Sequence, residues 1–402
     1  MSRHTTACNG TEKINLRIVT AGSIAHLVND MFQMVVIAIY PILKQNLSLS
    51  FTQISLLTLI FQFVASLLQP FLGYLSDKKP QPYMLTLGMF SHLAGIIILA
   101  FAHTFPLLII SVVLIGIGSA TFHPEATKIS QLASGKRPGL AQSIFQLGGN
   151  TGSALGPLLA AILIVPFGQS SFIVLALIAV ITLFVISKMT KWYKIKIEES
   201  KRSKIIVSYT HHLSKTTVFI TITILLFLTF SKFVYINSFS NYYIFYLQEK
   251  FKLTLHFAEI CLFIFLFSIA LGTMIGGPLG DKFGRRYIIW LSILGVAPFS
   301  LLLPYAGLAL TIFLSTIAGI LLASAFPAIL VYAQEMMPKN VGTVSGLFFG
   351  FACGIAGLSA LLLGYIADHY GIITVYNLCS VLPLLGFLAL FLPNITVEKI
   401  VS

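Results

Sequence analysis

Long apolar runs separated by short polar breaks set the first reading of this chain. Twelve runs are about the length that a helix needs to cross a bilayer: 17–43, 53–75, 83–102, 106–133, 138–166, 170–188, 218–247, 257–280, 286–304, 308–335, 341–367 and 372–392. The one long polar stretch between them, 189–217, divides them six and six. The expected fold class is an all-α polytopic membrane protein with an N-terminal six-helix half (1–188), a linker (189–217) and a C-terminal six-helix half (218–402). The first sixteen residues are polar and the first apolar run is long, which reads as an uncleaved first helix and not as a signal peptide.

Composition strengthens this picture. Only 9% of the 402 residues are charged and mean hydropathy is +0.94, too little polar surface to cover a soluble body. The net charge of +13 raises the question of nucleic acid, and its placement answers it. With the N-terminus inside, 21 of the 25 Lys and Arg fall on the cytoplasmic side of the predicted layout, as the positive-inside rule requires. Both termini and the linker are therefore expected in the cytoplasm. The linker's basic run is expected to orient the chain beside anionic lipid, with no nucleic acid as partner. Four cysteines, Cys8, Cys261, Cys353 and Cys379, form no C-x-x-C pair, so neither a bound metal nor a disulfide framework is expected.

Two short segments echo each other. "GYLSDKK" (73–79) closes the second run and "GPLGDKFGRR" (277–286) closes the eighth, 204 residues later; Pro124 and Pro327 in runs four and ten lie 203 apart. A constant offset signals an internal duplication of six spans. The second segment carries in full the G-x-x-x-D-K/R-x-G-R-R/K signature of the major facilitator superfamily, which the chain resembles over its whole length. The first copy is partial, with "KPQP" in place of the G-R-R end. Small Gly73 and Gly277 let a neighbouring helix approach, and Asp77 and Asp281 can face the positive start of another helix. The resemblance implies partners at the starts of span eleven, near Val341, and span five, near Pro138, and a cytoplasmic gate. That gate would comprise Gly73, Asp77 and Lys78 with Gly277, Asp281, Lys282, Gly284, Arg285 and Arg286.

Span five reads "FQLGGNTGSALGPLLAA", placing Gly148, Gly152 and Gly156 on one face with Pro157 next. It resembles the glycine-proline motif of proton-coupled drug antiporters in the same superfamily; close helix packing alone is the competing reading. The strings "HLVNDMFQ", "LLQPFLGYLSDKKPQPY", "TFHPEATKISQLASGKRPGLAQSIFQLGGNTGSALGPLLAA" and "FSKFVYINSFSNYYIFYL" resemble the fosmidomycin-resistance group. That resemblance implies a bacterial inner-membrane exporter of small antibiotics driven by proton entry, acting as a monomer without a cofactor. The alternative function is a proton-coupled uptake symporter or exchanger for a small organic anion or sugar phosphate. No phosphate-binding loop is present, so an ATP-driven pump is excluded, and nothing points to an enzyme.

Ionisable residues inside a span are costly, about 2.5–3.5 kcal/mol each on insertion scales, and are functional candidates by default. Five stand out: His26 and Asp30 in span one, His123 and Glu125 in span four and Lys232 in span seven. His26 and Asp30 are four apart and share a helix face. Proton coupling is expected of Asp30 and Glu125, with His26 and His123 as relays. Lys232 is expected either to anchor an anionic substrate or to pair with Asp30. His123 and Glu125 lie about 200° apart around a regular helix, so both reach one cavity only if Pro124 bends it; otherwise Glu125 pairs with Lys128. The substrate lining is expected to include Lys232, His123, Gln33, Gln146, Asn150, Tyr235, Asn237 and Tyr332. His92 in span three is expected to be a packing residue.

Overall fold

A computed structural model describes residues 13–49, 51–202, 207–210, 213–393 and 398–401. Cys8, among the residues read above, lies outside that set. Twelve membrane helices run in chain order: α1 (Leu16–Ala38), α2 (Phe51–Lys78), α3 (Met84–Ala100), α4 (Phe105–Leu132), α5 (Pro138–Leu159), α6 (Phe172–Arg202), α7 (Lys215–Phe251), α8 (Leu255–Phe283), α9 (Arg285–Ile293), α10 (Leu308–Met336), α11 (Val341–Tyr370) and α12 (Ile372–Ser380). Short helical segments extend several of them: Tyr40–Asn46 after α1, Ala160–Ile164 and Val165–Phe167 after α5, Leu294–Tyr305 after α9 and Leu382–Phe391 after α12. Among the described residues, eleven stretches are long and apolar enough to span a bilayer. The twelfth, α3, has 17 residues, about 26 Å of helix, at the short limit of what a crossing needs.

The surface is apolar where a bilayer surrounds it. Leu59, Phe63, Leu67 and Phe71 on α2 are all more than half exposed, as are Leu177, Ile181 and Phe184 on α6. Apolar side chains at a spacing of four on an outward face match acyl chains. The interior holds the polar residues, among them His26, Asn29, His92, His123, Glu125 and Lys232.

The elements depart from the sequence pattern in two places. The sixth helix continues to Arg202, past the apolar run that ended at 188, because "KMTKWYKIKIEESKR" is rich in helix-forming Lys and Glu and pairs Lys196 with Glu199 at 2.9 Å. Outside the membrane helices, β1 (Val207–Thr210) pairs antiparallel with β2 (Glu398–Val401), a ribbon that the hydropathy pattern did not announce. Among the described cysteines, Cys261 and Cys379 are buried and unpaired.

Glycines set the closest helix contacts. A Cβ on Gly148 or Gly152 would strike the backbone carbonyl of Ser23 or Leu27, and one on Gly156 would strike Met34. The ladder of α5 thus lies directly on α1, along the stretch that carries His26 and Asp30. Past Pro157 the chain takes a π turn, Ala160–Ile164, just ahead of Pro166. Because successive helices alternate in direction, the end of α2, the start of α5, the end of α8 and the start of α11 share the face of the membrane that carries the linker. This is called the linker face below.

Candidate functional site

The site forms where α1, α4, α5 and α11 meet. Asp30 stands one turn beyond His26 on α1, and His123 of α4 approaches it from the other side. His26 Nε2 lies 3.3 Å from Asp30 Oδ2, off the line of a full hydrogen bond, and His123 Nε2 lies 3.5 Å from Oδ1. Asn29 Nδ2 and Gln33 Nε2 donate to the same Oδ1 at 2.8 and 3.2 Å. The two rings meet edge to face with centroids 5.1 Å apart. His26 is wholly buried, while the Asp30 side chain keeps 18% of its exposure, so the carboxylate is the member of the centre that water reaches.

The backbone fixes the proton positions on both rings. His26 Nδ1 lies 2.8 Å from the carbonyl of Phe145, and His123 Nδ1 lies 3.2 Å from that of Ser119. A carbonyl only accepts, so each Nδ1 must carry hydrogen and donate. The exchangeable position on each ring is then Nε2, and both Nε2 atoms face Asp30. With a bare lone pair there, nitrogen would face carboxylate oxygen with nothing between them; a proton on Nε2 turns each contact into an ion pair. The geometry therefore turns two ring nitrogens toward one carboxylate. The donor atoms of His26, Asp30 and His123 also lie within 4.8 Å of one another, the spacing of a partial metal shell.

Gly149 makes room for this centre. A Cβ there would stand 2.5 Å from His26 Cε1 and Nε2 and 2.8 Å from Asp30 Oδ2. Such overpacking costs about 1–3 kcal/mol. Gly149→Ala is therefore expected to cut substrate-linked transport by at least about tenfold while the protein still reaches the membrane; vesicle transport alongside quantified expression checks this.

Glu125 is not part of the centre. The fourth helix runs unbroken through Pro124, so the 200° separation holds: His123 turns to Asp30 and Glu125 turns away. Its Oε1 is buried without a hydrogen-bond partner among the described residues, and it feels the charges of Lys128 and Asp77. The expected pairing of Glu125 with Lys128 is replaced by another. Lys128 Nζ lies 3.1 Å from Asp77 Oδ1 and donates to the Ser76 carbonyl at 2.9 Å, because the end of α2 stands against this stretch of α4.

Lys232 is buried, yet it forms no ion pair with Asp30 or with any other described carboxylate. Its ammonium lies 4.6 Å from the ring centres of both Phe233 and Phe326. Phe326 in turn packs edge-on to Phe349, whose ring lies 4.7 Å from His123 and 6.0 Å from His26.

The expected lining residues separate into groups. Gln33 joins Asp30 directly. Gln146 donates to Asn150, which donates to Thr273 of α8 at 3.0 Å, and Asn237 donates to Ser359 of α11 at 2.7 Å; these are ties between helices. Tyr235 is packed in a separate aromatic cluster with Phe239, next to Phe265 and Tyr376. The Tyr332 hydroxyl donates to the carbonyl of Pro393. Neither tyrosine joins the His–Asp centre, because a tyrosine on a helix buries its ring wherever the neighbouring helix is closest. His92 is fully buried, close against Gly118 and 6.0 Å from Phe32.

Hydropathy reading missed Gly149, Phe145, Phe326 and Phe349. The repeat offset could have found one of them from a residue already singled out. Phe326 lies 203 residues after His123, and Phe349 lies 204 after Phe145.

At the linker face two carboxylates cap two helix starts. Asp77 accepts from Gly342 N at 2.9 Å and from Thr343 N and Oγ1 at 2.7 Å. Asp281 accepts from Gly139 N and Leu140 N at 2.9 Å. Both use the unpaired N–H groups and positive end of a helix. Gly73 faces Gly342 and Gly277 faces Gly139 so closely that a Cβ would meet backbone. The cation beside each carboxylate differs. Arg285 lies 3.1 Å from both Asp281 and Glu335, whereas Lys128 serves Asp77, where the first copy of the motif lacks its arginines. Gly284, at φ +94, ends α8 and starts α9. Lys78 and Lys282 lie over the rings of Tyr74 and Phe283, and Arg286 donates to the carbonyl of Leu390.

Known proteins place this arrangement. The Major Facilitator Superfamily profile matches residues 22–249 and 228–400. The fosmidomycin resistance protein of Escherichia coli (strain K12) is 51% identical over 377 residues, 94% of this chain and 93% of that protein. The uncharacterized MFS-type transporter YfnC of Bacillus subtilis (strain 168) is 38% identical over 92% of this chain and 91% of its own length. Among solved structures, the transporter FucP in the outward conformation superposes with a TM-score of 0.73 at 14% identity, covering 94% of this chain and 98% of that one, a likeness of fold alone. The chain thus belongs to the Major Facilitator Superfamily and is a multi-pass membrane transporter.

Proposed function

We propose that the protein is a proton-coupled antiporter that exports small anionic antibiotics of the fosmidomycin kind from the bacterial cytoplasm across the inner membrane. The observation that carries this reading is the His26–Asp30–His123 centre, with both exchangeable Nε2 positions aimed at one carboxylate. The resistance named for the 51% identical relative supports the substrate class. The glycine ladder of α5 supports exchange. Both termini and the linker lie in the cytoplasm, and the two halves, 1–188 and 218–402, rock against each other as a monomer in lipid. Protons load Nε2 of the histidines when the face opposite the linker is open, and they leave when the latches at Asp77 and Asp281 release. Glu125 sits beside the first latch and outside this proton path.

Everted vesicles energised by a pH gradient test the function. Collapse of the gradient on adding fosmidomycin supports exchange, and drug susceptibility of cells with and without the protein sets its direction. Proton movement together with drug into cells would replace antiport by uptake symport.

Lys232 holds the anionic head of the substrate, since it is a buried cation whose partners are ring faces. Removing one partner of a desolvated charge pair costs about 2–5 kcal/mol. Lys232→Ala is therefore expected to weaken fosmidomycin binding by at least about tenfold, measured by calorimetry on the purified protein.

A further inference from the structure

The centre at Asp30 and the cation at Lys232 carry opposite charge in one low-dielectric interior, yet they do not meet. A chain of ring contacts leads from one to the other. Phe326 is under the Lys232 ammonium at 4.6 Å, it packs against Phe349 at 5.3 Å, and Phe349 lies 4.7 Å from His123. Both phenylalanines are almost fully buried. Phe349 also packs edge-on to Phe145, whose carbonyl holds His26. The two rings come from the repeat positions of His123 and Phe145. One half of the duplication therefore supplies the proton-storing side of the wall and the other half supplies the apolar side.

We infer that Phe349 and Phe326 form an aromatic partition that keeps Lys232 from pairing with Asp30 and so reserves the ammonium for the anionic group of the substrate. The inference rests on the anion-anchor reading of Lys232 and adds positioning residues to it. A lysine on a flexible four-carbon stem swings to a carboxylate within reach, and buried opposite charges attract more strongly the closer they come, so it is the bulk of the rings that holds the two groups apart. Without the partition the chain's own Asp30 becomes the counter-ion. The substrate must then break an ion pair to bind, and the carboxylate is withdrawn from the histidines. With it, the ring faces hold the ammonium only by a cation–π contact, which an entering phosphonate or other anion displaces.

The test is fosmidomycin binding to purified protein in nanodiscs, measured for wild type, Lys232→Ala, Asp30→Asn, Phe349→Leu, Phe349→Ala and the double variant Phe349→Ala/Asp30→Asn. Phe349→Leu, which keeps the wall filled, is expected to stay within about threefold of wild type. Phe349→Ala is expected to bind at least about tenfold more weakly. In the double variant the competing carboxylate is gone, so affinity is expected to return to within about threefold of Asp30→Asn alone. A phenylalanine that only fills space gives no such rescue: a double variant as weak as Phe349→Ala, or a Phe349→Ala protein that binds like wild type, overturns the partition. If the alanine variant does not fold, Phe349→Val makes the same comparison with a smaller void. The underlying reading fails differently: wild type that does not bind, or Lys232→Ala that binds equally well, overturns the anion anchor and the partition together. Weak binding by Lys232→Ala with unchanged Phe349→Ala overturns the partition alone.

Discussion

Asp30→Asn is expected to abolish transport driven by a pH gradient, with loss on the order of a hundredfold or more, while the protein is still made and inserted. The substitution is nearly isosteric, so Asn29, Gln33 and the two histidines keep a polar neighbour of the same shape. What disappears is the charge. Two imidazoles whose Nδ1 protons are committed to the carbonyls of Phe145 and Ser119 can take up a second proton only at Nε2, and the Asp30 carboxylate balances one such proton. Without it, a cation forming there is left unpaired in the membrane interior, a cost of several kcal/mol, and loading stops. Insertion becomes easier, because a neutral amide costs less to bury than a carboxylate. Two readings in everted vesicles separate coupling from collapse. Substrate-linked dissipation of the gradient should vanish, whereas exchange of labelled for unlabelled drug with no gradient should persist. Gradient-driven transport that survives the substitution would remove Asp30 from the proton path.

Neutralising both latches, Asp77→Asn with Asp281→Asn, is expected to produce the second large effect. Each carboxylate accepts two backbone hydrogen bonds at 2.7–2.9 Å from a helix start and pairs with a cation. A hydrogen bond to a charged group contributes about 1.5–3 kcal/mol. Losing the charge at both sites therefore shifts the balance between closed and open linker face by about 3 kcal/mol, on the order of a hundredfold in population. Ser143 reports the change, since its hydroxyl accepts from Gly277 N at 3.0 Å inside the closed contact and is buried. A cysteine placed there, in a background without the four native ones, should react with a membrane-impermeant maleimide at least about tenfold faster once both latches are neutral. Vesicle transport should fall in parallel. Unchanged labelling would mean that these contacts do not hold the face closed. The two single variants need not match, because Asp281 keeps Arg285 in a pair with Glu335, while Asp77 relies on Lys128 from the neighbouring helix.

Much of the architecture was legible in the sequence. A bilayer demands about twenty apolar residues per crossing and offers no partner for a bare backbone, so the spans declare themselves one at a time. The marginal length of α3, the helical start of the linker and the β1–β2 ribbon are the exceptions, because propensity and pairing outside the membrane leave no mark in hydropathy. The duplication was legible as well, from a constant offset between two motif copies. His26 and Asp30 read as partners because one helix turn joins them, a relation that needs no tertiary structure.

The remaining pairings are decided across the bundle. That His123 turns to Asp30 and Glu125 does not follows from which face of α4 meets α1, and the glycines of α5 set how closely α1 lies. Lys128 leaves its neighbour three residues away for Asp77, 51 residues earlier, because the end of α2 stands opposite it. Lys232 reads in sequence as the natural counter-ion of Asp30, yet its ammonium lies over the rings of Phe233 and Phe326. By itself the sequence determined where the long apolar runs lie, that two motif copies recur at a constant offset, and which residues are too polar to be there by accident. Which of those residues meet was decided only by the tertiary structure, because hydropathy is a property of each segment alone, whereas a buried charge takes its partner from whichever helix packs against it.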